Sequence, residues 1–190
     1  MKLIRILGAL ILIVTLAATP AWSQISQFCY GDGSSASGPC PCGNVSAPMT
    51  GGCLNSLGTP GVLTAFGMGA IPIVSADISG NNRITLAGSG MPNAACRYFQ
   101  GSATVPALFG DGVRCVNNPF QVQLGTRLNV AGASFVGGSP GPAISLQGAV
   151  NVPLPAPCTR AYQCWYRNAI AFCTPAVFNM TNAVSIIWVP

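Results

Sequence analysis

Nine cysteines and three aspartates are the side chains of this 190-residue sequence best suited to covalent, redox or metal chemistry, because it contains no histidine. Four of the cysteines crowd into Phe28 to Cys53, with ten residues between Cys29 and Cys40, one between Cys40 and Cys42, and ten more before Cys53. A structural zinc site draws its thiolates from pairs two to four residues apart, and one Cys-x-Cys with long arms does not match that. A Ser or Cys nucleophile needs a positioned base, usually His. Glycoside hydrolysis needs two carboxylates across one bond, and only Asp32, Asp77 and Asp111 exist. Asp32 and Asp111 each stand in Gly-Asp-Gly, which makes them candidate calcium ligands. One carboxylate per loop falls short of the several that tight calcium sites combine, so a turn-forming role is expected instead. No cofactor is expected, and a small hydrolase with paired aspartates is the least favoured function.

What remains for the cysteines is disulfide formation, which requires an oxidising compartment. The N-terminus supplies the route. Lys2 and Arg5 precede an apolar run from Ile6 to Ala18, and Ala21-Trp22-Ser23 places small residues where a signal peptidase reads them, predicting cleavage before Gln24. That run is too short for a membrane span of about 20 residues, so export without a span after cleavage is expected. All nine cysteines survive the cut, which allows four disulfides and one leftover thiol. A bond within Cys40-Pro41-Cys42 would close a small strained ring. Pairing inside the cluster is then Cys29–Cys40 with Cys42–Cys53, or Cys29–Cys42 with Cys40–Cys53, the second being preferred. Cys115 with Cys173 is the expected third bridge. Cys96, Cys158 and Cys164 are expected to supply one further pair and one free thiol.

Residues 24 to 190 are one ordinary domain's worth of chain. Once Lys2 and Arg5 are gone, six arginines face three aspartates, a net charge of +3. The arginines are scattered singly, which excludes the clustered cation face that nucleic acid requires. Half of the sequence is apolar, which excludes disorder. The surface must be coated with Ser, Thr, Asn, Gln and Gly.

The elements that position these groups read as short strands. Val62, Thr64, Phe66 and Met68 share a face, Ile84 and Leu86 alternate with Arg83, Thr85 and Ala87, and Arg97 to Gln100 forms another strand. Phe120, Val122 and Leu124 oppose Gln121 and Gln123; Leu128 with Val130, and Ile144 with Leu146, continue the series. Tyr162, Cys164 and Tyr166 oppose Gln163, Trp165 and Arg167, and Val184, Ile186 and Trp188 end it. Gly-, Asn- and Pro-rich turns separate them, and no long window carries an uninterrupted helical stripe. The predicted fold is all-β: an antiparallel β-sandwich or jelly roll preceded by a disulfide-stapled N-terminal loop region. Residues 1–23 read as a signal peptide, 24–58 as the cysteine-rich segment and 59–190 as the sandwich, the last two forming one domain.

The aromatic cluster Tyr162, Trp165 and Tyr166, with Arg167, is the candidate binding surface, since flat rings with a polar rim suit sugar faces. Alternation sends Tyr162 and Tyr166 to the face opposite Trp165, so one side of the strand must be core. Asn44-Val45-Ser46 and Asn179-Met180-Thr181 fit the glycan acceptor rule.

Taken in order, FCYGDGS, CPCGN, GGCLNSLG, YFQG, LFGDGVRC, YQCWYRN and FCTPAVFNMTNAVSIIW resemble a family of secreted bacterial proteins to which no activity is assigned. The likeness spans nearly all of the chain after residue 23. It implies cysteines in the family pattern at Cys29, Cys40, Cys42, Cys53, Cys115 and Cys173, with Cys96, Cys158 and Cys164 as additions. The sequence departs at Asn168, where the family has Asp, and at Ala183, where it has Gly. In a bacterial chain the two acceptor triplets are expected to be turns. The expected function is a secreted or surface-associated, non-catalytic structural or interaction module. Its expected partners are an extracellular glycan, another surface protein or a second copy. The alternative is a carbohydrate-binding module using exposed aromatics.

Overall fold

The structure is a computed structural model and describes residues 25–67, 76–77, 84–117, 122–138, 140–150, 158–169 and 172–189. The predicted signal segment lies outside the described residues, as do Met68, Arg83, Phe120 and Gln121. Among the described residues, twelve strands and one helical turn follow in order: β1 (Ile25–Phe28), β2 (Val62–Phe66), β3 (Ala76–Asp77), β4 (Thr85–Ser89), β5 (Ala95–Gly101), β6 (Ala103–Phe109), β7 (Gly112–Asn117), β8 (Val122–Leu128), β9 (Ser134–Gly137), α1 (Ile144–Gln147), β10 (Cys158–Arg167), β11 (Phe178–Met180) and β12 (Ala183–Val189). The main sheet runs β1-β12-β10-β5-β8, with β11 also on β10 and β3 on β12. A second sheet is β2-β4-β9, and β6 with β7 forms a separate hairpin. Pairing is antiparallel throughout except between β3 and β12. The chain is all-β, as predicted, and no helix among the described residues is long and apolar enough to cross a membrane.

The two faces of the main sheet carry two cores, and period-2 alternation decides which residue joins which. Tyr98, Tyr162, Cys164, Tyr166, Val184, Ile186 and Trp188 turn inward and meet Leu63, Leu86 and Val136 of the second sheet. This is the sandwich. On β2 the core face is that of Leu63, not of Val62, Thr64 and Phe66. The sheets also meet through polar side chains. Tyr98 Oη accepts from the Gly88 amide at 3.0 Å and donates to the Ser134 carbonyl at 2.7 Å. A Cβ on Gly88 would stand 2.7 Å from that hydroxyl, so only glycine permits the approach.

The outer face of the main sheet is also covered. Phe99, Ala161, Met180 and Ala183 pack there against Val113 and Val116 of the hairpin and against Cys40 and Cys53 of the N-terminal segment. Gln163 is wholly buried at this junction. Its Nε2 donates to the carbonyls of Val113 (2.8 Å) and Thr181 (2.7 Å), and its Oε1 accepts from the amide of Cys115 at 3.0 Å. A buried amide satisfied in this way ties the hairpin to the sheet. The result is three layers rather than two.

Two expectations need correction. Ile144 and Leu146 belong to a helical turn rather than a strand: the Gln147 and Gly148 amides donate to the carbonyls of Ala143 and Ile144, burying Ile144 and exposing Leu146. Leu128 and Val130 are 73% and 75% exposed, so they cover no core.

Candidate functional site

The disulfides determine how the N-terminal segment can be used. Cys29–Cys115, Cys40–Cys53 and Cys42–Cys173 are bonded, with Cα separations of 6.0, 5.8 and 5.6 Å. The same six cysteines singled out from the sequence are paired, and Cys40–Cys53 is as preferred. Cys29–Cys42 and Cys115–Cys173 are not formed; their members exchange partners. The segment is not a self-contained knot but a flap over the outer face. Cys29 follows an edge strand with φ of 62°, which turns the chain toward β7, and Cys42 lies at the exposed rim beside the loop before β11. Cys96, Cys158 and Cys164 carry no disulfide, in place of the expected further pair. Cys96 and Cys164 are buried on adjacent strands. The Cys164 thiol hydrogen-bonds to Cys96 and brings it down to about 7, while burial pushes Cys164 up. No cluster of metal ligands occurs among the described residues.

Neither Gly-Asp-Gly aspartate presents a free carboxylate. Asp111 is fully buried; its Oδ1 accepts from the amide (2.9 Å) and hydroxyl (2.8 Å) of Thr174, and its Oδ2 from Asn168 Nδ2 at 2.8 Å. Asp32 accepts from the hydroxyl and amide of Ser34 and from the Met49 amide, bonds that hold its carboxyl below the usual range. Asp32 thus closes its own loop, as a turn former does, whereas Asp111 ties its hairpin turn to the residues on either side of the loop before β11. The acceptor triplets are likewise structural. Asn44 is buried and donates to the carbonyls of Leu54 and Asp111, and Asn179 is fully buried beside Leu54.

Of the four candidate binding residues, Tyr162 and Tyr166 are wholly buried in the sandwich core. Burial raises both hydroxyls, and Tyr162 Oη is taken up by Trp188 Nε1 and Gln100 Oε1 at 2.9 Å each. They cannot meet a ligand. Trp165 and Arg167, one residue out of phase, emerge on the outer face, where Trp165 is half-buried and Arg167 exposed.

Trp165 is part of a cavity of about 270 Å³ between the main sheet and the β6–β7 hairpin. The sheet supplies Arg97 and Phe99 from β5, Gln123 from β8, Trp165 from β10 and Met180 from β11; the hairpin supplies Phe109 and Arg114. Register explains the gathering. Arg97 and Met180 both pair with Trp165, on either side of β10. A bulge at Tyr98 and Phe99 puts Gln123 opposite Phe99 and leaves Leu124 free to turn into the sandwich core. Phe178 braces the rings, its centroid 4.9 Å from Phe109 and 5.7 Å from Trp165. Arg114 lies over Phe109 at 4.8 Å and Arg167 over Trp165 at 5.9 Å.

Three arginines scattered in sequence therefore converge around one aromatic cluster. Neither Asp32 nor Asp111 bonds to any of them, and Arg114 Nε is buried without a hydrogen-bond partner among the described residues. Uncompensated guanidinium charge against a flat apolar floor suits a planar or ring-shaped anion. Sequence reasoning found Trp165 and Arg167 but missed Arg97, Phe99, Phe109, Arg114, Gln123 and Met180. Strand parity alone assigns Arg97 and Phe99 to the face opposite Tyr98. Nothing local assigns the hairpin to that face.

No protein-family model, curated protein or solved structure matches this chain.

Proposed function

We propose that this chain is an exported, non-catalytic interaction module, braced by disulfides, whose working surface is the Trp165 cavity. The observation that carries the reading is what lines that cavity: arginine, phenylalanine, glutamine, tryptophan and methionine. None of these is a nucleophile or a base at neutral pH, whereas all suit recognition. Disulfides joining segments 86 and 131 residues apart support an oxidising compartment. The basic start, apolar run and Ala21-Trp22-Ser23 support export with cleavage before Gln24, and the resemblance to a secreted bacterial family points the same way. The hydrolase alternative loses ground, because Asp32 and Asp111 are engaged with different partners, Asp32 with Ser34 and Met49 and Asp111 with Asn168 and Thr174, rather than with each other. Carbohydrate binding is favoured by one observation, the half-buried Trp165 ring beside arginines.

Expression of the full chain in a bacterium with an oxidising periplasm tests the reading. The expected product lies outside the cytoplasm, begins at Gln24 and carries six cysteines that resist alkylation until reduced. A chain kept in the cytoplasm with its first residues intact would overturn the proposal.

A further inference from the structure

We propose that the Trp165 cavity recognises a carboxylate-bearing sugar, a uronic acid unit of an acidic polysaccharide, with the sugar ring against Trp165 and the carboxylate between Arg97 and Arg114. This rests on the reading of the chain as an interaction module and supplies its ligand class. Arg97 and Arg114 both line a cavity to which no aspartate contributes; Asp32 is engaged with Ser34 and Met49 and Asp111 with Thr174 and Asn168, so an external anion would be the arginines' counter-charge.

Arg114 is already poised for it. Its guanidinium is held over the Phe109 ring, and its buried Nε lacks an acceptor among the described residues. A buried donor without a partner costs stability that a carboxylate would restore. A planar fork of donors fixed against a ring matches a carboxylate's two oxygens, which a flexible ammonium would not. Arg97, exposed and anchored only through Nε to Thr126 Oγ1 at 3.3 Å, keeps its terminal nitrogens for the same group.

The rest of the ligand follows from the other walls. Trp165 is locked by Phe178, so it offers a flat face at little entropic cost. Gln123 adds a side-chain donor and acceptor, which suits hydroxyls rather than a purely aromatic acid. A volume of about 270 Å³ is at the lower edge of the about 300–1,000 Å³ of small-molecule sites. That favours a single ring, with the neighbouring units of a chain lying outside.

The mature protein titrated with trigalacturonate, followed by tryptophan fluorescence and calorimetry, tests the assignment, with neutral trigalactose and a sulfated disaccharide as the other arms. Trigalacturonate should bind, change the emission of Trp165, and weaken as salt is raised. Arg97→Gln and Arg114→Gln should each weaken it roughly tenfold to a hundredfold, with Arg114→Lys in between. Trp165→Phe keeps a ring against Phe178 and should abolish the fluorescence response; melting curves establish that each variant is folded. Trp188 is buried and supplies an unresponsive background. Three results overturn the proposal: no binding, equal affinity for trigalactose, or affinity unaffected by both arginine variants. Preference for the sulfated arm would overturn the carboxylate assignment. All of these leave the export test untouched, so the two readings fail separately.

Discussion

Asp111 and Asn168 face each other in the buried seam beneath the β6–β7 turn, the asparagine amide donating to the carboxylate at 2.8 Å. The Asn168 carbonyl oxygen accepts from the Ser56 amide at 3.0 Å, which fixes the orientation of the amide. The pair thus joins three distant segments through one carboxylate and one amide, and its chemistry is directional. Asp111→Asn would set an NH₂ against an NH₂, and Asn168→Asp would set two buried carboxylates together. Each single change should cost about 2–4 kcal/mol in urea unfolding. The double exchange Asp111→Asn with Asn168→Asp restores one donor facing one acceptor and leaves the Thr174 and Ser56 bonds in place. Most of the loss should be recovered. Additive losses in the double-mutant cycle would show that the two residues act independently.

The covalent frame makes an equally direct prediction. Peptide mapping without reductant should recover Cys29–Cys115, Cys40–Cys53 and Cys42–Cys173. Loop closure sets the order of their contributions: a bridge spanning 131 residues, Cys42–Cys173, is worth about 5 kcal/mol in the chain-entropy account, against about 3 kcal/mol for the 13-residue span of Cys40–Cys53. Replacing each pair by serine and comparing urea midpoints should reproduce that order.

The pairing that sequence spacing suggested failed because spacing reports only local closure. Cys40 and Cys53 lie on one folded-back segment, where the Gly31 amide meets the Gly51 carbonyl and the Ser46 amide meets the Gly31 carbonyl, and that bridge was legible. Cys29 and Cys42 take partners from the middle and end of the chain, a choice made by which layer covers which. Strand parity was legible for the same reason in reverse. Tyr162 and Tyr166 against Trp165, and Ile84 with Leu86, follow from alternation alone. Ile144 and Leu146 misled, because two apolar residues in alternation do not distinguish a strand from a helical turn between Pro142 and Gly148. Of the candidate site, only Trp165 and Arg167 were visible as such. Phe109 and Arg114 needed the hairpin to be docked on the sheet.

Thiol reactivity should separate the three unbonded cysteines. Cys158 is half-buried, whereas Cys96 and Cys164 are wholly buried. The thiolate is the reactive form, and the hydrogen bond from Cys164 that brings Cys96 to about 7 would by itself make Cys96 the fastest. Access decides otherwise, since a reagent cannot reach a sulfur with no exposed surface. In the folded protein a disulfide reagent at neutral pH should modify Cys158 first, and Cys96 and Cys164 should react only at the rate of unfolding. Rapid modification of Cys96 in folded protein would contradict the packing of β5 against β10.

The tyrosines predict how the fold responds to base. Burial raises the hydroxyls of Tyr98, Tyr162 and Tyr166 above their ordinary value of 10.0, because a phenolate would have to form in the desolvated sandwich core. In the unfolded chain all three ionise near 10. Below that pH both states keep the tyrosine protons, and these three groups contribute no slope. Above it the unfolded chain loses protons that the folded chain retains, so the unfolded state is favoured and stability falls as pH rises. The three buried tyrosines should contribute up to three protons per molecule to the slope, and the buried Cys164 thiol, raised for the same reason, a fourth. Urea unfolding measured at successive pH values above 10, with phenolate absorbance followed in parallel, checks both halves of the prediction. Phenolate formation should coincide with loss of the fold, and Tyr162→Phe should reduce the slope by one proton. In a Tyr30→Phe background, which leaves the three buried tyrosines alone, tyrosine ionisation in advance of unfolding would mean that the core between the two sheets is open to water.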